Sequence, residues 1–195
     1  MKIFFLVLIA LIVFVISMYN RLIAGKNQVK NAFAQIDVQL TRRHDLIPNL
    51  IEAVKGYMAH EKDTLEAVIN ARNAAVSGLQ NAKVDPSDPK AIDALGKAEG
   101  QLNGALGRLF ALAEAYPDLK ANENMMQFQE ELTSTENRVA FARQAFNDAV
   151  MRFNTLRESF PTNLVANFFG GKFSEAKHLE IEDGKSAVPE VSFDQ

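Results

Sequence analysis

Residues 125–160 read MMQFQEELTSTENRVAFARQAFNDAVMRFNTLRESF, and their spacing decides the fold. Met125, Leu132, Val139, Phe146, Phe153 and Phe160 recur every seven residues. Phe128, Thr135, Ala142, Ala149 and Leu156 fill companion positions three later. Such a repeat draws one apolar seam along an α-helix, and a seam this long implies left-handed, coiled-coil-like packing. A strand would need apolar residues at every second position, which no stretch of the chain offers in comparable strength. The spacing predicts a helix from about Asn122 to Ser159, stopped by Pro161.

Upstream, Tyr116-Pro117-Asp118 ends a second predicted helix over about Lys90 to Ala115, where Leu95, Leu102, Leu109 and Tyr116 repeat every seven residues. Gly96, Gly100 and Gly104 form a ridge of small residues on it. Each interior glycine costs about 1 kcal/mol against alanine, so a close approach by a neighbouring helix is expected there. The segment 81–89 contains two Asp-Pro steps and reads as a turn. Before it, Val29, Phe33, Ile36, Leu40, Ile47, Leu50, Val54, Met58, Leu65 and Val68 fall largely at helical spacing. That predicts one rod from Gly25 to Gln80, about 80 Å long at the helical rise. Its one strong breaker is Pro48, which either kinks the helix against the His44 carbonyl or lies in the first turn of a helix restarted at Asp45. A bend at 44–48 is expected on both readings.

Residues 3–19 contain no charge. As a helix they cover roughly 26 Å, the short end of what crosses a bilayer core. Tyr19 suits the membrane interface and Arg21 can extend to headgroups. A cleaved signal peptide is the competing reading, with Lys2 as its positive start and Val15-Ile16-Ser17 as a weak cleavage site. The apolar run is longer than a usual signal core and has no Gly or Pro breaker, which favours an uncleaved anchor. Lys2 and the N-terminal amine face Arg21, Lys26 and Lys30, so the charges leave the side of the membrane open.

The expected organisation is all-α. A transmembrane anchor (1–20) continues into an elongated antiparallel bundle (26–160) of three long helices, or four if the chain breaks at Pro48. A short apolar segment (161–174) and an acidic, loosely ordered tail (175–195) follow. In the tail, Val188, Val191 and Phe193 could fold back or add to another chain.

The chain has 195 residues, 48% of them hydrophobic, and a net charge of −3. The apolar share excludes a disordered chain, and the mild acidity argues against nucleic acid as a partner. With no cysteine there are no disulfides, thiolate metal sites or thiol nucleophile. His44, His60 and His178 are the only histidines, and His60-Glu61 lacks the second histidine of a zinc-binding helix. They read best as surface or helix-end residues. No phosphate-binding loop, Gly-x-Ser-x-Gly elbow or Glu-x-x-His pair occurs. No residue is therefore nominated as catalytic, cofactor-binding or metal-ligating, and no cofactor is expected. Arg42, Arg43, Asn49, Glu136, Arg138, Arg143, Asn147 and Asn154 lie among apolar positions. They are a solvated face, buried pairs that fix register, or polar contacts between copies.

The runs Asn31-x-x-x-Gln35-Ile36-Asp37-Val38-Gln39-Leu40-x-Arg42-Arg43-x-Asp45-Leu46-Ile47-Pro48-Asn49-Leu50 and Val54-Lys55-x-Tyr57-x-x-His60-Glu61 are distinctive. So are Glu114-x-Tyr116-Pro117-Asp118, Thr135-Glu136-Asn137-Arg138 and Arg143-x-x-x-Asn147. In this order, with Tyr19-Asn20-x-Leu22 before them and Phe153-Asn154 and Phe160-Pro161 after, they resemble the LemA family of bacterial membrane proteins, from the anchor to about residue 175. Phe146 and Met125-Met126 depart from the usual pattern. The resemblance implies one membrane anchor, a helical bundle and a bacterial origin, and no catalytic residues.

The functional expectation is a non-enzymatic, self-associating scaffold (a homo-oligomer) at the bacterial cytoplasmic membrane, with the lipid bilayer as its first partner. The alternative is an adaptor for another membrane protein, a protease or transporter. A metal-dependent enzyme is the weakest reading.

Overall fold

The computed structural model of the chain describes residues 1–181; the expectations placed on Val188, Val191 and Phe193 lie outside the described residues. All its elements are helical: α1 (Lys2–Lys55), α2 (Lys62–Val84), α3 (Pro89–Ala113), α4 (Pro117–Lys120), α5 (Glu123–Glu158), α6 (Thr162–Phe168) and a 3-10 turn (Gly170–Phe173).

α1 is one unbroken helix of 54 residues. Its N-terminal part is long and apolar enough to cross a membrane, and Ile3 to Ile9 and Leu11 to Ile16 are exposed. The first buried side chain is Met18, followed by Leu22, Val29, Phe33, Ile36 and Leu40. The same helix thus passes from membrane span to bundle core near Met18, and the remaining residues carry the bundle roughly 55 Å outward.

The bundle has four long helices, with the division at Gly56–Glu61 rather than at Pro48. Pro48 lies inside α1. It has no N–H to offer the His44 carbonyl, which would be left unbonded. Arg72 of α2 supplies the missing donor, its Nε–H reaching the His44 oxygen at 3.3 Å. The chain instead reverses after Gly56, where Met58 turns inward and is fully buried. Arg72→Ala should therefore destabilise the fold by about 1–3 kcal/mol, the cost of an unmatched buried carbonyl. In a Pro48→Ala background, where the helical bond is restored, the same change should cost little. Denaturant unfolding of the four variants in detergent tests this, and additive effects would contradict the capping role.

α1 and α5 are antiparallel neighbours. The Thr162 hydroxyl, just beyond α5, donates to the Met18 sulfur at 3.4 Å, and the Phe33 and Phe146 rings meet edge to face at 5.7 Å. α2 runs back along α1, with Lys83 on Asp37 at 2.6 Å, and Asp85 after it returns to Lys26 at 3.5 Å. Asp88 then caps α3, accepting from the Lys90 amide with Pro89 in the first turn. The Asn122 side chain caps α5 in the same way. The heptad seam of α5 is buried from Met125 through Phe153, whereas Phe160 is exposed.

Two of the expectations change. The tail expected to be loose from Glu175 is, over 175–181, an extended strap that buries Ala176, Leu179 and Ile181. The glycine ridge of α3 admits this strap rather than a helix. A Cβ on Gly96 would lie 2.2 Å from the Glu180 carbonyl oxygen, while one on Gly104 would meet nothing within 4 Å. The close helix–helix approach falls at Gly78 of α2, against the Leu95 backbone of α3.

Candidate functional site

Two apolar cores divide the bundle. One holds Leu22 to Leu40 with Phe146 and Phe153; the other holds Ile47 to Met58 with Leu102 to Leu109. Between them lies a charged layer. His44 Nε2 is 2.7 Å from Glu99 Oε1, Arg43 is 3.6 Å from Glu99 Oε2, and Arg43 donates to Asn103 Oδ1 at 2.6 Å. Exposures are 0% for Glu99, 2% for His44 and 5% for Arg43. Burying these groups is costly and is offset only by their mutual pairing. Arg43 Nε and Glu99 Oε2 still lack a hydrogen-bond partner, but a charge cluster in an otherwise apolar interface pairs its members in one helix register only, so the layer fixes how α1 meets α3.

This overturns the surface reading of His44 and divides the Arg42-Arg43 pair between the alternatives left open for it: Arg43 is buried, Arg42 exposed. Asn49, Glu136 and Arg138 are exposed, as are His60 and His178. Glu99 escaped the sequence reading, although the pattern held it. Leu95, Glu99, Leu102, Leu106 and Leu109 step by four, three, four and three, placing a carboxylate on the seam of α3. Among the described residues no group of three or more His, Cys, Asp or Glu could hold a metal. A cleft of about 380 Å³, lined in part by Arg43, Asn103, Glu136, Arg143 and Ile181, lies beside the layer.

Arg143, Asn147 and Asn154 are half-buried because they hold the strap. The Asn154 amide donates to Ala176 O at 2.8 Å and accepts from Ala176 N at 3.0 Å. Asn147 grips Leu179 in the same two ways, at 3.3 and 2.8 Å. Arg143 donates to Ile181 O and Arg157 to Phe173 O. The register follows from geometry. Seven residues of helix rise about 10.5 Å, and three residues of extended chain span about 10 Å, so one asparagine every two turns meets every third strap residue. Lys177 of the strap pairs with Asp93 of α3 at 2.5 Å, and that hydrogen bond holds the Asp93 carboxyl below its usual range.

At the far end of the bundle two of the distinctive motifs meet. Tyr116 donates to Glu61 at 3.0 Å, which raises the phenol's pKa above its ordinary value, and Asn122 donates to the Tyr57 hydroxyl at 3.2 Å. On the outer side of α1, Val38, Arg42, Asp45 and Asn49 share one exposed stripe bordering a shallow cleft of about 600 Å³. Neither Arg42 nor Asp45 has an ion-pair partner among the described residues.

The chain is similar to known proteins along most of its length. The chain is 29% identical to Protein LemA of Metamycoplasma hominis over 164 residues, covering 84% of this chain and 70% of that protein. It is 24% identical to Magnetosome protein MamQ of Magnetospirillum gryphiswaldense over 186 residues, 88% of this chain and 68% of the relative. Residues 32–193, nearly the whole of the chain beyond the anchor, match the model of the LemA family. This membrane-anchored helical bundle therefore belongs to the LemA family.

Proposed function

We propose that the chain is a non-catalytic scaffold that self-associates at the bacterial cytoplasmic membrane. The observation that carries this reading is the outer stripe of α1, where an apolar Val38 and two opposite charges without partners stand exposed on a helix continuous with the membrane span. Copies in one bilayer present this stripe in parallel. A two-fold axis along the membrane normal sets Arg42 of one copy about 4.5 Å along the axis from Asp45 of the next. Each copy thus offers what the other lacks, the self-complementarity an isologous contact needs. The non-catalytic part is supported by the buried layer, where Arg43 and His44 face Glu99 inside the core. The bacterial relatives support the choice of membrane.

Extraction of the full chain in mild detergent should give a particle larger than one copy. Arg42→Asp should shift it toward monomer, and Arg42→Asp combined with Asp45→Arg should restore it. A strict monomer in detergent, with no cross-linked ladder in membranes, would remove the scaffold reading. A particle holding one copy and a different membrane protein in fixed ratio would replace it with the adaptor.

A further inference from the structure

Three large apolar side chains stand in the open beside the point where α1 leaves the membrane: Phe160 at 79% exposure, Leu164 at 60% and Phe168 at 84%. Leu164 and Phe168 are four residues apart on one face of α6. The opposite face, Thr162, Val165 and Ala166, is buried. α6 itself carries no charge. Scattered apolar residues are ordinary on a surface, but a cluster of large ones marks a contact.

The position of the cluster says what covers it. Thr162 touches Met18, the last residue of the span's apolar run before Tyr19. Phe169 packs on the Tyr19 ring at 4.9 Å, and Phe168 on Phe169 at 5.2 Å. Lys172 donates to the Tyr19 hydroxyl and lies 5.1 Å from the centre of its ring. Arg21 is exposed one turn above Met18, and Lys26 also reaches this segment through the Lys172 carbonyl. Aromatic rings backed by basic groups, level with the end of a spanning helix, are the composition of a segment lying in the headgroup region.

We propose that α6, with Phe160 before it, is a second membrane contact, lying in the plane of the bilayer with Phe160, Leu164 and Phe168 among the upper acyl carbons. One spanning helix alone leaves the bundle free to rotate about its axis and to tilt. A second contact beside it, tied to the core through Val165 and Phe173, removes the free rotation and confines any tilt to one direction.

The chain contains no tryptophan, so a single one reports its own surroundings. The full chain carrying Phe168→Trp is reconstituted in vesicles of phosphatidylcholine and phosphatidylglycerol brominated near the top of the acyl chains. Phe141→Trp, at a site 74% exposed on α5, serves as the comparison. An in-plane segment sits about 5–10 Å into the headgroup–acyl boundary, so brominated lipid should quench Phe168→Trp at least about twofold more than Phe141→Trp. Aqueous iodide should do the reverse. Phe160→Trp should follow Phe168→Trp, and both replace exposed aromatics by a larger one without loading the core. Equal iodide quenching at 168 and 141 would overturn the proposal by placing α6 in water. Shielding from both quenchers would overturn it by assigning the patch to a second copy.

Discussion

Glu99→Ala is expected to lower the unfolding free energy by about 3–5 kcal/mol, the cost of leaving buried charge without its counter-ion. Arg43 and His44 both face this carboxylate, and at 0% exposure no water replaces it. Urea unfolding of the detergent-solubilised chain, followed by helix content, measures the effect. Replacing Arg43, His44 and Glu99 together by leucine should recover much of the loss, because an apolar layer carries no desolvation cost. The triple variant should then show its defect elsewhere, as heterogeneous pairing of α1 with α3. A loss under about 1 kcal/mol for Glu99→Ala would mean that the layer is hydrated, and its register-setting role would go with it.

The second large effect is expected at the strap. Asn147→Ala with Asn154→Ala removes four hydrogen bonds to strap backbone. At about 1 kcal/mol net for each bond, the strap loses roughly 4 kcal/mol of attachment. Its opening should rise by a factor on the order of 10²–10³, read as amide exchange over residues 174–181 or as new protease cleavage there. Gly96→Ala should release the same segment by a different route, since the added Cβ would lie 2.2 Å from the Glu180 oxygen. Strap protection unchanged in both variants would mean that Phe173, Ala176, Leu179 and Ile181 hold it by burial alone.

These two sites also mark what the sequence disclosed and what it hid. The helices were legible because their seams repeat, and the α5 seam is buried from Met125 through Phe153 as its period required. The reversal after Gly56 was not, because Val54, Met58 and Leu65 stay in helical phase across the turn. Periodicity registers which residues are apolar and is blind to a change of direction that keeps step. Pro48 drew attention as the obvious breaker, yet the donor that rescues it, Arg72, lies 24 positions away in sequence. The strap is held by side chains bonding to main chain. Asn147 and Asn154 resemble any solvated asparagine until the segment that they hold is in place. Glu99 was visible on its seam, but the glycines on either side offered a simpler explanation of that stretch.

The continuity of α1 has a mechanical consequence. With no hinge between span and bundle, the molecule is a lever whose fulcrum is the bilayer. A spanning helix answers a mismatch between its length and the local hydrocarbon thickness by changing tilt, commonly about 20° in membranes of ordinary thickness. Over an arm of roughly 55 Å, that tilt displaces the far end, where Tyr57, Glu61, Tyr116 and Asn122 meet, by roughly 19 Å. Changes in bilayer thickness too small to alter the bundle would therefore be delivered to its tip as movement across the membrane plane.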